Sequence, residues 1–221
     1  MVVRALRPFM AHPEVAHVVL VLPPAHAEHP PAFLTELAAP TSSPSALSAA
    51  SAASASSAPS AAVPLTIVAG GEHRGDSVRA GLSALSESCT IVLVHDAARP
   101  FVDPRVIDAV AAHARQGEGA VPGVPLSDAL KESSHRDPTL VSCSRPRARL
   151  WRAQTPQGFP RAVLVEAYAR AARLGRRATD DAALVEAMGI PVRLVLDTTR
   201  NFKVTTPEDL ALAELLARAA T

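Results

Sequence analysis

From Leu65 onward the chain repeats one unit: a short apolar run of strand length, a break, then apolar residues at helical spacing. Strands are expected at Leu65–Ala69, Thr90–Val94, around Ala120–Val124 and at Val192–Leu196. Helices are expected from about Asp76 to Leu85, Pro104 to Arg115, Pro160 to Leu174 and near Asp181–Met188. A last helix opens with Thr206 as cap, Pro207 in its first turn, and Glu208 and Asp209 placed against the helix dipole. Strands alternating with helices predict an α/β fold whose mostly parallel sheet is covered on both faces. Ligands of such sheets bind beyond the carboxyl ends of the strands. The segments to inspect are therefore 70–77, 95–100, 128–131 and the surroundings of Lys203.

Upstream of Leu65, Val2, Val3, Leu6, Phe9 and Met10 recur at helical spacing, and the apolar run Val15–Leu22 reads as a strand stopped by Pro23 and Pro24. No charged residue lies between Leu37 and Gly71. Within that span, Pro40–Pro64 is a Ser/Ala/Pro segment with almost nothing large to bury, which predicts a disordered insertion. The length of 221 residues suits a single domain over 1–221. At 48% hydrophobic but only 3% aromatic residues, its core must be built from Ala, Val and Leu. A net charge of +1 gives no bulk field for nucleic acid or an anionic membrane. Two cysteines, Cys89 and Cys143, suit a reducing compartment and leave no cysteine cluster for a metal. With no apolar run of membrane-spanning length and no basic-then-apolar leader, a cytoplasmic protein is expected.

The cations divide unevenly, into 20 Arg and only two Lys, Lys131 and Lys203. In a chain that writes its cations as Arg, a Lys is either chance or a place that needs a compact point charge. Four segments carry candidate chemistry. Gly70-Gly71-Glu72-His73-Arg74-Gly75-Asp76-Ser77 follows a strand and opens a helix, so its amides can approach a ligand, although Asp76 or Ser77 also reads as a plain N-cap. His95-Asp96-Ala97-Ala98-Arg99 places a carboxylate and a guanidinium beyond a strand with small residues between them. Asp96 there suits a sugar hydroxyl or a metal and Arg99 a phosphate, or the two form a local ion pair; His95 reads as structural. Arg145, Arg147 and Arg149 alternate, which on an extended arm puts all three on one face. The arm is either a solvated edge or a carrier of cations to a phosphate. Asn201-Phe202-Lys203-Val204-Thr205 sets one lysine near the end of the sheet, and Thr179-Asp180-Asp181 is compatible with a helix cap.

In this order the segments resemble the 2-C-methyl-D-erythritol 4-phosphate cytidylyltransferases. The resembling pieces are GGEHRGDSVRAGL (70–82), VLVHDAARPFV (92–102), PLSDALK (125–131), LWRAQTPQGF (150–159), TDDAALVEAMG (179–189) and NFKVTTPEDLALAE (201–214). The resemblance implies a doubly wound, Rossmann-like nucleotidyltransferase that dimerises through a protruding arm, here 133–149. It implies CTP and a sugar-alcohol phosphate as substrates and Mg²⁺ carried on the CTP phosphates. It also implies in-line attack on the α-phosphorus with pyrophosphate leaving, a reaction driven by positioning and cationic stabilisation. Carried over by matching position, Gly71, Glu72, Ser77 and Ala97 would contact the nucleotide, and Asp96 and Arg99 would orient the sugar phosphate. Lys203 would serve both substrates, and Arg147, Thr155 and Thr179 would lie on the acceptor side.

Two positions and the opening segment depart from the pattern. Glu72 replaces a frequent Asp, and Ala129 stands where the family usually has Thr. The family also opens with a strand, a glycine-rich loop and a Pro-Lys pair, whereas no glycine here precedes Gly70 and no lysine precedes Lys131. The expectation is that the true start lies upstream and that the chain as written is poorly stable and inactive. Other readings are a pentitol-phosphate (ribitol 5-phosphate) cytidylyltransferase and a non-catalytic relative that keeps the fold.

Overall fold

The computed structural model describes residues 1–38, 63–176 and 179–219. The expected insertion at 40–64 falls almost wholly outside them. Helix α1 (Val2–Met10) buries Ala5, Leu6 and Phe9 in the interior. Strand β1 (Val18–Leu22), short helices α2 (Pro24–Glu28) and α3 (Ala32–Ala38), and strand β2 (Leu65–Ala69) come next. β1 and β2 pair in parallel, Val18 opposite Leu65 through Leu22 opposite Ala69. Leu6, Leu20, Leu34 and Leu65 form a small core of their own beneath this pair.

The larger sheet is organised around β4 (Gly119–Pro125). Here β3 (Ile91–Val94) pairs antiparallel with β8 (Gln157–Pro160), and β8 reaches β4 antiparallel at Ala120–Gly158. β4 also pairs antiparallel with β7 (Trp151–Ala153) and in parallel with β9 (Val192–Leu196). The expected α/β class holds, but β7 and β8 are strands that the pattern of Gln, Pro and Gly had concealed. α5 (Pro104–Arg115) has the expected bounds, and it starts where Asp103 accepts the Arg105 amide proton and Pro104 fills the first turn. The main core joins Leu82 of α4 (Arg74–Ala84), Val92, Val121 and Phe159 to Leu164 and Tyr168 of α6 (Arg161–Arg173) and Val185 of α7 (Asp181–Glu186). The last helix, α8 (Pro207–Ala219), has its N3 amide, Asp209, bonded to the Thr206 hydroxyl at 3.2 Å.

Among the described residues β1 pairs only with β2, and β3 only with β8. Between β1 and β3 lies a cleft of about 560 Å³ lined by Phe9, Leu20, Leu82, Val92 and Ile107, among others. The residues that precede both strands, Val15 and Thr90, line it, as do Asp96 and Ala97 beyond β3. This apolar cleft thus runs into the rim where ligand-binding residues are expected.

Around the segment expected as the arm, β5 (Leu130–Ser133) and β6 (Val141–Arg145) form a hairpin, and among the described residues these strands pair only with each other. The extended stretch ends at Arg145, and a turn follows over 148–149. The three arginines therefore do not share one extended face. Arg145 pairs with Glu132, and Arg147 donates to the Ser127 carbonyl at the entry to the hairpin. Pro146 explains the change, because it lacks the N–H that a continuing ladder would use. Lys131 spends its ammonium on Ser144 Oγ across the hairpin at 2.7 Å.

Candidate active site

Close approach, rather than a left-handed backbone, explains the two glycines after β2. A Cβ on Gly70 would lie 2.6 Å from Ser77 Oγ, and one on Gly71 would lie 2.3 Å from Asp76 Cβ. The loop folds back on its own helix: the Gly71 amide donates to Ser77 Oγ at 3.3 Å, and the His73 amide to Asp76 Oδ2 at 3.2 Å. Glu72 sits exposed on this loop. Arg74, at the start of α4, donates to the fully buried Asp181 at 2.5 Å, and Tyr168 donates its hydroxyl proton to the same carboxylate. Asp181 raises the Arg74 pKa against the lowering effect of burial. Burial and then Asp181 push the Tyr168 phenol well above its usual range.

Beyond β3, Asp96 Oδ2 stands 3.2 Å from Lys203 Nζ and 3.5 Å from Arg99 Nε. Burial alone would raise the Asp96 pKa; Lys203, Arg74 and Arg99 outweigh it and hold the carboxylate ionised. Burial lowers the Arg99 pKa, opposed by Asp96 and Asp197. Thr155, between β7 and β8, is locked to this loop. Its hydroxyl oxygen accepts from the Asp96 amide at 3.0 Å and lies 3.0 Å from His95 Nδ1, while His95 Nε2 lies 3.0 Å from the Arg99 carbonyl. A carbonyl can only accept, so the neutral imidazole carries its proton on Nε2 and leaves Nδ1 to accept from Thr155. Burial lowers the His95 pKa to about 4, keeping this arrangement in place at neutral pH.

The segment bearing Lys203 is held on either side of it. Val204 donates its amide proton to the Ala98 carbonyl at 2.9 Å, and the fully buried Asn201 anchors the other end. Phe202 stacks on Phe101 with centroids 5.9 Å apart.

The structure therefore brings Asp96, Ala97, Arg99, Thr155 and Lys203 together, with Gly71 on the neighbouring loop and Ser77 near the start of α4. Thr179 stands exposed before α7, whose cap is Asp180, accepting from the Ala183 amide at 3.0 Å. Arg147 is tied to the hairpin's own base, and Ala129 is exposed in the turn leading to β5. Sequence reasoning missed Asn201, Gln154, Asp197, Arg74 and the part played by His95. Gln154 and Asn201 stand inside the family-like segments, but only their burial, at 5% and 0% exposure, tells them from ordinary loop residues.

A metal held by the protein does not suit this rim. Asp96 is already ringed by cations, which makes it a poor ligand for another. Among the described residues His12, Glu14 and Asp108 have ligand atoms within 4.8 Å of one another. There His12 Nε2 already engages Asp108, and Nδ1 accepts the Glu14 amide proton.

The family model described as 2-C-methyl-D-erythritol 4-phosphate cytidylyltransferase matches residues 1–219. The enzyme of that name from Syntrophus aciditrophicus is 46% identical over 148 residues, 67% of this chain and 62% of that protein. A bifunctional enzyme IspD/IspF from an Anaeromyxobacter species is 46% identical over 157 residues, 71% of this chain and 40% of that protein. The chain thus spans less than two thirds of the length of these relatives. The crystal structure of the cytidylyltransferase from Thermus thermophilus is 34% identical with a TM-score of 0.73, covering 97% of this chain and 87% of that one. A match over nearly the whole chain, together with the rim assembled above, leads to one conclusion: the chain belongs to the 2-C-methyl-D-erythritol 4-phosphate cytidylyltransferase family.

Proposed function

We propose that the protein transfers the cytidylyl group of CTP to 2-C-methyl-D-erythritol 4-phosphate. A phosphate oxygen of the acceptor attacks the α-phosphorus, a new P–O–P linkage forms, and the bond to the β-phosphate breaks with its electron pair leaving on pyrophosphate. The observation that carries this reading is the convergence of Lys203 and Arg99 on Asp96 at the end of β3. The paired cations hold their places before substrate arrives, and a phosphate competing with Asp96 meets cations already in position. Such preorganisation lowers the barrier without a covalent enzyme intermediate.

The Gly70–Ser77 loop supports a nucleotide on one side, through Gly71, Glu72 and Ser77, with Ala97 leaving room. Asp96, Arg99, Thr155, Thr179 and Arg147 are the acceptor-side residues of this reading, Arg147 reaching the acceptor of a second chain. Mg²⁺ enters with the CTP phosphates as part of the substrate. A homodimer built through the β5–β6 hairpin is supported by Leu140 and Val141, apolar yet 60% and 61% exposed. Free Cys89 and Cys143 are consistent with a cytoplasmic setting, and no helix of the described residues is long and apolar enough to cross a membrane.

The test is pyrophosphate release from CTP and Mg²⁺ with methylerythritol phosphate or ribitol 5-phosphate as acceptor. Turnover with the first acceptor, once a family glycine-rich loop is joined ahead of Met1, is expected, reduced at least about a hundredfold in Lys203→Ala. Turnover with ribitol 5-phosphate alone moves the assignment to that acceptor. Undiminished turnover in Lys203→Ala sinks the mechanism, and failure to turn over or to bind CTP both as given and with a family glycine-rich loop joined ahead of Met1 sinks the reading.

A further inference from the structure

One buried side chain ties the rim together. The Asn201 amide donates to the Thr155 carbonyl and to Asp197 Oδ2, both at 2.8 Å. The Asn201 backbone carbonyl accepts from Arg99 Nη1 at 2.8 Å and from Gln154 Nε2 at 3.0 Å. The loop after β3, the β7–β8 loop, the end of β9 and the segment carrying Lys203 therefore meet at a residue with no exposed surface. We propose that Asn201 is a positioning residue that sets Lys203 and Arg99 against Asp96; the assignment rests on the transfer reaction above for its catalytic consequence.

Three observations carry it. Arg99 Nε lies 3.5 Å from Asp96 and makes no hydrogen bond among the described residues, so the guanidinium takes its aim from the Asn201 carbonyl rather than from the carboxylate. The Lys203 side chain is 46% exposed and flexible, so its reach is fixed by its backbone, which is held by Asn201 on one side and Val204 on the other. Both amide hydrogens of Asn201 meet oxygens. Aspartate at this position would set a second carboxylate against Asp197 and a carbonyl, leaving a buried charge without a donor. Misplacement of a reacting group by about 1 Å costs on the order of a hundredfold in rate.

The chain's two lysines supply a readout independent of turnover. Reductive ¹³C-methylation keeps the charge and gives one side-chain resonance each for Lys131 and Lys203. In Asn201→Ser the Lys203 resonance should move while Lys131, on the separate hairpin, stays in place. In unmodified enzyme kcat should fall about 10- to 100-fold, with the KM for CTP within about threefold. Adding Arg99→Lys to Asn201→Ser should cost little more than the larger single change. Should Asn201→Ser not fold, Gln154→Met loosens the same carbonyl and should move the Lys203 resonance less, in the same direction. Both resonances unchanged in a folded variant, or the two substitutions multiplying fully in kcat, overturns the proposal. Should the transfer reading fail its own test while the Lys203 resonance moves as described, the reaction falls and the positioning stays intact.

Discussion

The rim around Asp96 and the cleft between β1 and β3 are neighbours built on opposite principles. At the rim, Gln154, Thr155, Asp197 and Asn201 are buried polar side chains held by hydrogen bonds drawn from four segments. In the cleft, Leu20 and Val92 belong to two strands that do not pair with each other, and apolar side chains face a space of about 560 Å³. Directional bonds fix geometry at the rim; packing, which has no direction, covers the cleft only in part. The site's precision therefore depends on the five-stranded sheet. The β1–β2 pair, with a core of its own, is the part expected to loosen first.

Substituting one large residue on each side sharpens this contrast. Phe159 is fully buried where β8 meets the main core, and Phe159→Ala should cost about 4 kcal/mol. Urea unfolding followed by Trp151, the chain's single tryptophan and a residue of β7, checks that figure in the sheet it reports on. Leu20→Ala should cost nearer to about 2 kcal/mol, because the space it leaves merges with a cleft already present instead of creating a closed void. Its effect should appear as faster amide exchange in β1 and β2 with little change in the Trp151 transition. Equal effects on both probes would mean that the two parts unfold as one.

Proton linkage at His95 tests the rim by a different route. Its folded pKa of about 4 lies below the ordinary value of 6.5. Both states are neutral above pH 6.5, so His95 costs nothing there. Between 6.5 and about 4 the unfolded chain binds a proton that the folded chain refuses, and stability falls as the pH drops. The loss is at most about 3.5 kcal/mol, at about 1.4 kcal/mol per pH unit. His95→Gln should flatten the slope of stability against pH in that window. An unchanged slope would mean that other groups carry it.

How much of this was readable beforehand follows the same division. Asp96 and Arg99 stood out because charge just beyond an apolar run is visible in a linear pattern, and Lys203 because it is one of only two lysines in the chain. α8 announced itself through Thr206-Pro207, since capping is local chemistry, and α5 through its helical spacing from Pro104; the Asp103 cap emerges only in the fold. β7 and β8 did not, because Gln154-Thr155-Pro156-Gln157-Gly158 has turn composition, and what makes Gln157–Pro160 a strand lies elsewhere in the chain. A Cβ on Gly158 would come within 2.3 Å of Val110 Cγ1 and 2.8 Å of Leu93 Cδ2, so α5 and β3 select glycine there. The Asn201 hub was hidden for the same reason: nothing in an Asn reveals that it will be buried. The alternation of Arg145, Arg147 and Arg149 misled because Pro146 ends the ladder that would have given it meaning.

The smallest expected effect marks where charge stops mattering. Arg193 on β9 makes two-pronged contact with Glu118, with three N–O distances between 2.8 and 3.0 Å, a well-formed ion pair at the edge of the five-stranded sheet. Geometry alone would rank it above the Lys203–Asp96 pair at 3.2 Å. Surrounding water decides otherwise: the Arg193 side chain is 59% exposed, and solvated pairs gain little beyond the hydration they give up. Arg193→Ala should leave the urea midpoint unchanged within error. Asp96→Ala, which strands two cations beside a partly buried site, should shift that midpoint and abolish turnover together. A large loss from Arg193→Ala would show that β9 is held on β4 by its edge charges rather than by its backbone ladder and the apolar contacts of Val192 and Val195.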